Sequence, residues 1–263
     1  MKAPTFGSDP EIFVVNANGG IACPVEMLPR PKEVLNLGPE GGVNRDGIAF
    51  ELNPAPSSDP AVVAANMAKL LQIGVGRLSD AGLHIVQSLS ATIDDDMPPD
   101  AYEFGCNPDY NAYTKEEYRC KLNPRKYLKR FAGGHISMGI DIPMTFDQVC
   151  ELVKLFDFYA GLRALFYIPR DEVENAVERR LSYGAAGCFR HKNHLVEYRT
   201  PDSSWLWATG AYEEICSGMF LAFEAFMSGK RIAKPKTLRV AINNCDLHLA
   251  RVLIQSQEVI CPP

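Results

Sequence analysis

At 263 residues, 46% hydrophobic and 22% charged, the chain has the composition of a globular protein with a sizeable core, and its length allows one large domain or two small ones. It contains no run of about 18 apolar residues that would span a bilayer, and its N-terminus lacks the basic and apolar regions of a signal peptide, so a cytoplasmic protein without membrane insertion is expected. The net charge of −5 supplies no general attraction for nucleic acid. Eight cysteines, at 23, 106, 120, 150, 188, 216, 245 and 261, include no CxxC and no zinc-ligand pairing, and are expected as reduced thiols.

In chain order, GSDPEIFVV predicts a strand with Asp9 and Glu11 on one face and Pro10, Ile12 and Val14 on the other. IAFELNP predicts a second, with Ile48, Phe50 and Leu52 opposite Glu51, and Asp46-Gly47 before it is a hairpin-turn signal. Residues 60–82 predict a helix: Val63, Met67, Leu70, Leu71 and Leu78 recur at helical spacing, Asp59 and Pro60 suit its start and Gly82 its end. A strand over LHIVQSLS follows. Residues 92–127 carry four prolines, the acidic run at 94–96 and many tyrosines without periodicity, a length that is more often functional or ordered by packing than a plain loop. The basic stretch from Arg119 to Arg130 reads as a solvated loop face or as a surface for a polyanion such as a nucleotide phosphate.

GGHISMGI predicts a strand with His135 and Ser137 on one face and Ile136, Met138 and Ile140 on the other. Residues 145–166 predict a helix started near Thr145 or Asp147, with Val149, Leu152, Val153, Phe156 and Leu162 on its stripe. The charged segment 170–181 is also expected as helix. SYGAAGCFRHKNHLVEYR reads as a glycine-bearing hairpin into a strand where Glu197 and Arg199 face away from Val196 and Tyr198. Helices over 207–228 and 245–255 complete the chain. Short strands, long connections and the lack of a GxGxxG or P-loop favour an α+β fold with a mainly antiparallel sheet, in one domain over 1–263.

A carboxylate inside an apolar strand costs several kcal/mol to bury, on the order expected for an isolated ion, unless it is paired or bound to a cation. If the four acid- and histidine-bearing strands share an apolar face, their other face collects Asp9, Glu11, Glu51, Glu197, His135 and Arg199. Magnesium or manganese prefers such carboxylate oxygens and bridges to phosphates. Taken singly, each acid also fits a strand-end salt bridge; the coincidence of four segments is what points to metal. Arg190 and Lys192 follow the hairpin glycines, and Arg199 fits a counter-ion for Glu197 as readily as a phosphate ligand. Gly133, Gly134, Gly139, Gly184 and Gly187 suit close approach of a ligand or turn geometry. His84, His191, His194 and His248 lack comparable context.

Together GSDPE, GVNRDGIAFELNPAPS, FGCNPDYNAY, GGHISMGI, YGAAGCFRHK and VEYRTPDSSWLW resemble the phage phiEco32-like COOH·NH2 ligases, which are similar in turn to the glutamine synthetase and gamma-glutamylcysteine ligase superfamily. The resemblance runs from about residue 5 to 230. It implies a glutamine synthetase-like curved, mainly antiparallel sheet with helices on its convex face, binding ATP and two or three divalent ions. Carried over residue by residue, it makes Asp9, Glu11, Glu51, His135 and Glu197 metal ligands and Arg199 a phosphate contact, with Arg190, Lys192 and Arg45 as helpers. Ser137 stands where relatives often have a second histidine, and RFAGGH where they have RTAGGH.

The implied reaction is an ATP-dependent amide ligation. A substrate carboxylate attacks the γ-phosphorus to give an acyl phosphate, and an amine then displaces phosphate, with ADP and phosphate as products. Glu51, Glu197 and Arg199 carry the catalytic expectation, and Asp46, beside Arg45, is a candidate to hold the ammonium or take its proton. Small-molecule or peptide acids and amines are the implied partners, in the host cytoplasm if phage-encoded, with an oligomer compatible. A metal-dependent phosphohydrolase or nucleotidyl-transfer enzyme on the same acidic face, or a non-catalytic nucleotide- or peptide-binding relative, are the alternatives.

Overall fold

The computed structural model describes residues 2–94, 97–102, 109–118, 120 and 122–256, together with the backbone of 259–260. Expectations for Asp95 and Asp96 of the acidic run, Arg119 and Lys121 of the basic run, Cys106, Cys261 and the FGCNP part of FGCNPDYNAY fall outside those residues. Along the chain the first strands are β1 Thr5–Ser8, β2 Glu11–Asn16, β3 Ile21–Ala22, β4 Leu35–Gly38, β5 Gly41–Asp46 and β6 Ala49–Pro54, followed by helix α1 Pro60–Asp80. Next come β7 Leu83–Val86, β8 Ser90–Thr92, β9 Asp109–Asn111, β10 Glu116–Tyr118, β11 Lys129–Phe131 and β12 Ile136–Gly139. Helices α2 Phe146–Phe156, α3 Leu162–Ala164 and α4 Val173–Ser182 precede the hairpin β13 Cys188–Lys192 and β14 Leu195–Tyr198, and α5 Ala211–Met227, α6 Pro235–Asn243 and α7 Leu247–Ser256 close the described fold. No helix among the described residues is long and apolar enough to cross a membrane.

The architecture is α+β and antiparallel, as the short strands imply, but the expected single sheet is divided. One six-stranded sheet runs β1-β12-β14-β13-β9-β10 and a second runs β3-β2-β6-β5-β4, with β7 also on β2. The division falls at Asp9-Pro10. Asp9 and Glu11 were expected in one strand; instead the chain leaves the first sheet after Ser8 and enters the second at Glu11. Proline has no N–H for a ladder, so the break costs little there. The sheets stay joined across it: Phe6 N–H donates to Ser57 O at 2.7 Å, Leu52 N–H to Pro10 O at 3.1 Å and Glu11 N–H to Gly133 O at 2.8 Å.

The apolar faces of both sheets belong to one core. Ile12, Val14, Phe50 and Leu52 from the second sheet and Ile136, Met138, Phe189, Val196 and Tyr198 from the first are buried in the same cluster as the inward stripes of α1, α2 and α5. Helix α1 begins where Asp59 accepts from Ala61 N–H at 2.9 Å, with Pro60 at its first position, and Gly82 (φ +72°) follows its end. A capping box between Thr145 and Gln148 starts α2.

The predicted helix over 145–166 is not uniform. After Phe156 one π turn spans Asp157–Gly161 before α3. It brings the Asp157 carboxylate under β14, where it accepts from Tyr198 Oη at 2.6 Å and Tyr113 Oη at 2.8 Å; burial pushes its pKa up to about 6 against those bonds. Helix α6, with Pro235 first and Leu238, Ala241 and Ile242 buried, was not anticipated, and the segment expected as helix from 207 begins instead as a 3-10 turn over Ser203–Trp207.

Gly218, inside α5, faces the π turn, and a Cβ there would lie 2.2 Å from the Tyr159 carbonyl oxygen. Alanine is the better helix former by about 1 kcal/mol, yet Gly218→Ala is predicted to lower stability by about 1–3 kcal/mol through overpacking. Urea unfolding reads the sign; a stabilised variant would contradict this packing.

Candidate active site

The polar faces of the two sheets meet at the division, and strand register decides which side chains face one another there. In the first sheet Arg190 pairs with Glu197, Glu197 with Ser137, and Ser137 with Gly7. Asp9 follows β1 and His135 precedes β12, which places both beside Glu197. Ligand atoms of Asp9, His135 and Glu197 lie within 4.8 Å of one another. His135 Nδ1 is 3.4 Å from Asp9 Oδ1, 3.8 Å from Glu197 Oε1 and 3.2 Å from Arg199 Nη1.

Guanidinium nitrogens only donate, so the Arg199 contact assigns Nδ1 as the unprotonated, lone-pair-bearing nitrogen. Burial, reinforced by Arg199, holds the imidazole well below its ordinary pKa, hence neutral. Close packing fixes the ring: a Cβ on Gly133 would meet Nε2 at 2.6 Å, and one on Gly134 would meet the Asp202 carbonyl oxygen at 2.2 Å. These two glycines therefore admit protein atoms, whereas Gly184 (φ +71°) and Gly187 (φ +79°) serve turn geometry ahead of β13.

The second sheet supplies a second group. Glu11 lies directly opposite Glu51 in the β2–β6 register, and Asn44 opposite Glu51 in β5–β6. Asp46 ends β5 on the same face, and Glu11, Asp46 and Glu51 also have ligand atoms within 4.8 Å of one another. The Asp46-Gly47 turn signal is realised too, since Gly47 (φ +56°) opens a two-residue hairpin loop. Burial and then Asp46 push Glu11 up to about 7, although Gly133 N–H donates to its Oε2 at 2.7 Å. Burial, then Asp9 and Glu11, raise Glu51 well above the carboxylate range, and burial raises Asp9 against the pull of Arg199 and Arg190. No salt bridge joins Glu11, Asp46 or Glu51 to a cation among the described residues.

These features fit bound divalent cations. Asp9 Oδ1 is buried without a hydrogen-bond partner, and the ring nitrogen nearest to it and to Glu197 is the lone-pair-bearing Nδ1 of His135. Two groups of three ligands, one all-carboxylate and one containing a neutral imidazole, match magnesium and manganese preferences. Ser137 lies between Glu197 and Gly7 and belongs to neither group.

The predicted cations divide differently. Arg199, buried just past β14, donates to Glu197 Oε1 through Nη1, and Arg190 Nη1 is 3.6 Å from the same oxygen. Lys192 is exposed at the far end of β13, opposite Leu195, and is not brought to the site. Arg45 is not brought there either. It points to the α1 side of the sheet with its register partner Phe50, forms a two-armed pair with Asp100 (2.7 and 3.1 Å) and donates to the carbonyls of Leu28, Pro29 and Gly47. Strand alternation, which separates Arg45 from Asp46, already carried that information.

Two residues went unread in the sequence. Asp109, buried at the start of β9, has Oδ1 2.9 Å from Arg190 Nε and 3.1 Å from Arg199 Nε. Its place in NPDYN, an acid opening an aromatic strand, was the available signal. Arg179, fully buried in α4, donates to the carbonyls of Arg199, Thr200 and Pro201 and lies 4.4 Å over the Tyr183 ring; a charged helix gave no hint of this. A cleft opens beside the groups, lined by Glu11, Phe13, Asp46, Lys129, Tyr183 and Arg199 among others. Of the basic stretch, Lys129 thus reaches the cleft, Arg125 and Lys126 are exposed, and Arg130 binds four loop carbonyls.

Residues 123–229 match the family of phage phiEco32-like COOH·NH2 ligases, type 2. The part matched to this ligase family holds His135, Arg179, Arg190, Glu197 and Arg199; Asp9, Glu11, Asp46, Glu51 and Asp109 lie outside it. No curated protein matches the sequence. Among solved structures, one described as "Apo GmaS without ligand" is similar with a TM-score of 0.42 at 13% identity, covering 95% of this chain and 65% of that one, so the chain spans under two thirds of that neighbour's length. A likeness of that size bears on neither substrate nor chemistry.

A folded-state pKa near 7 for Glu11 against an ordinary 4.5 means that the folded protein holds a proton there that the unfolded chain has released. This contribution is fully present below 4.5 and is lost as pH rises through 7. In the absence of divalent cation, the wild type is therefore predicted to lose melting temperature relative to Glu11→Gln across that interval, and saturating magnesium to reverse the loss. A pH-independent difference would contradict the crowding of these acids.

Proposed function

We propose that the chain is an ATP-dependent carboxylate–amine ligase that forms an amide and releases ADP and phosphate. The observation that carries this reading is the adjacency of the two ligand groups, the Arg190–Arg199 pair and a cleft, which together suit a polyphosphate with a second substrate beside it. The family match over 123–229 agrees with the bond class. Magnesium or manganese, held by Asp9, His135 and Glu197 and by Glu11 and Glu51 with Asp46, would supply charge neutralisation on phosphate oxygens.

Arg199 and Arg190 orient those oxygens with fixed N–H forks. A carboxylate oxygen of the acid substrate bonds to the γ-phosphorus as the bond to the β-phosphate oxygen breaks, and ADP leaves. The amine nitrogen then bonds to the acyl carbon while phosphate departs, and the nitrogen loses its extra proton. Asp46 lines the cleft at the hairpin tip, and the carboxylate oxygen it does not give to the ion is assigned to hold that ammonium while its proton leaves to solvent. The reaction is assigned to the cytoplasm, with small-molecule or peptide substrates.

Purified protein is predicted to release ADP from ATP only with magnesium, an acid and an amine present, and Glu51→Gln or Glu197→Gln to lower turnover by about 100-fold or more with the fold retained by circular dichroism. AMP and pyrophosphate as products, or hydrolysis without an amine, would replace this reading with nucleotidyl transfer or phosphohydrolysis. Undiminished turnover in both variants would remove the two glutamates from the site.

A further inference from the structure

Asp109 takes part in none of the roles above, yet it sits in a cross-strand row, between Tyr118 of β10 and Arg190, that runs through the site. The β9–β13 register pairs Asn111 with Cys188 and Tyr110 with Phe189, so the next position sets Asp109 against Arg190. The row then continues through Glu197, Ser137 and Gly7. Arginine 190 therefore lies between two acids that treat it differently: Asp109 Oδ1 is 2.9 Å from its Nε, whereas Glu197 Oε1 is 3.6 Å from its Nη1. Arg199 repeats the pattern, with Nε 3.1 Å from the same Asp109 oxygen and Nη1 on Glu197.

One buried carboxylate oxygen thus holds both side chains by charge at the base of the guanidinium, at ion-pair distance and without a hydrogen bond. That grip leaves the terminal nitrogens directed toward Glu197, where the ligand groups lie. Asp109 thus draws the Nε side of both arginines away from the Glu197 oxygen that the first ligand group needs. A guanidinium recognises phosphate through a planar fork of fixed direction, so what orients the plane governs affinity as much as charge does. Asp109, only 2% exposed, is shielded from the screening that would weaken such a grip at the surface.

We propose that Asp109 is a positioning residue that holds Arg190 and Arg199 as a paired clamp for phosphate oxygens. This rests on the nucleotide reading given above only for the identity of the ligand; the clamp itself would serve any polyphosphate. The side chains supply direction, and no bond to Asp109 forms or breaks.

The test is titration calorimetry with magnesium-ATP and, separately, magnesium-tripolyphosphate, on the wild type, Asp109→Asn, Arg190→Lys and the double variant, each checked for folding by melting temperature. Wild type is expected to bind both ligands, Arg190→Lys to bind about tenfold more weakly, Asp109→Asn at least as weakly because it releases Arg199 as well, and the double variant to bind little worse than Asp109→Asn, in which the Arg190 contact is already lost. Arg190→Lys keeps the charge at a half-exposed position, so it reports on the grip even if Asp109→Asn does not fold. Unchanged affinity in either folded single variant, or fully multiplicative losses in the double variant, would overturn the proposal. Binding of tripolyphosphate but not ATP, with the same dependence on Asp109, would support the clamp while removing the ATP reading. Wild type binding neither ligand would overturn both.

Discussion

Carboxylates directly opposite one another on paired strands repel, and antiparallel sheets avoid the arrangement because the side chains cannot separate without breaking register. Here Glu11 faces Glu51, Asp46 joins them from the next strand, and Asp9 and Glu197 stand across the division between the sheets. Register is held by the apolar faces on the other side: Ile12, Phe50 and Leu52 pack beneath α1, and moving either strand by one residue would exchange that face for the acidic one. The core therefore confines the repulsion: burial first, and the neighbouring acids second, raise Glu11 and Glu51, while burial raises Asp9 against the pull of Arg199 and Arg190. At Glu11 a proton relieves it up to about pH 7, and on the proposed reading divalent cations would do so above that.

The basic half of the site is built by the opposite device. Arg190 and Arg199 are surrounded by acceptors, and the backbone that carries Arg199 is itself restrained. Arg179 binds three consecutive carbonyls from Arg199 to Pro201, and Asp157, presented by the π turn, fixes Tyr198 between Glu197 and Arg199. A buried guanidinium with its donors on main-chain carbonyls is costly to displace, since any movement leaves charge and carbonyls unpaired together. The result is a rigid cationic edge against a rigid acidic one, and such preorganisation is what phosphoryl chemistry draws on.

Much of this was legible in the sequence because strands alternate. The faces assigned to Glu51, His135, Glu197 and Arg199 followed from their apolar neighbours, and the structure brings all four to the polar side. What alternation could not supply was which strands neighbour one another. The expectation of one sheet missed the break at Asp9-Pro10, and with it the separation of the ligands into two groups. Arg45 was placed by its closeness in sequence to Asp46, although adjacent strand residues point apart. Asp109 and Arg179 escaped notice because they act on residues about 80–90 and about 20 positions away, respectively, through contacts that only the folded register creates. The π turn was invisible for a related reason: the hydroxyl of Tyr198 that meets its Asp157 comes from a different element.

The central claim, that two cations relieve the facing acids at the division between the sheets, is tested most directly by anomalous diffraction from a crystal of the protein soaked with manganese and a nonhydrolysable ATP analogue. The account predicts two manganese peaks, one ligated by Asp9, His135 and Glu197 and the other by Glu11, Asp46 and Glu51, with phosphate oxygens reaching Arg190 and Arg199. A bound nucleotide with no manganese at either group, or manganese held by other residues, would contradict it.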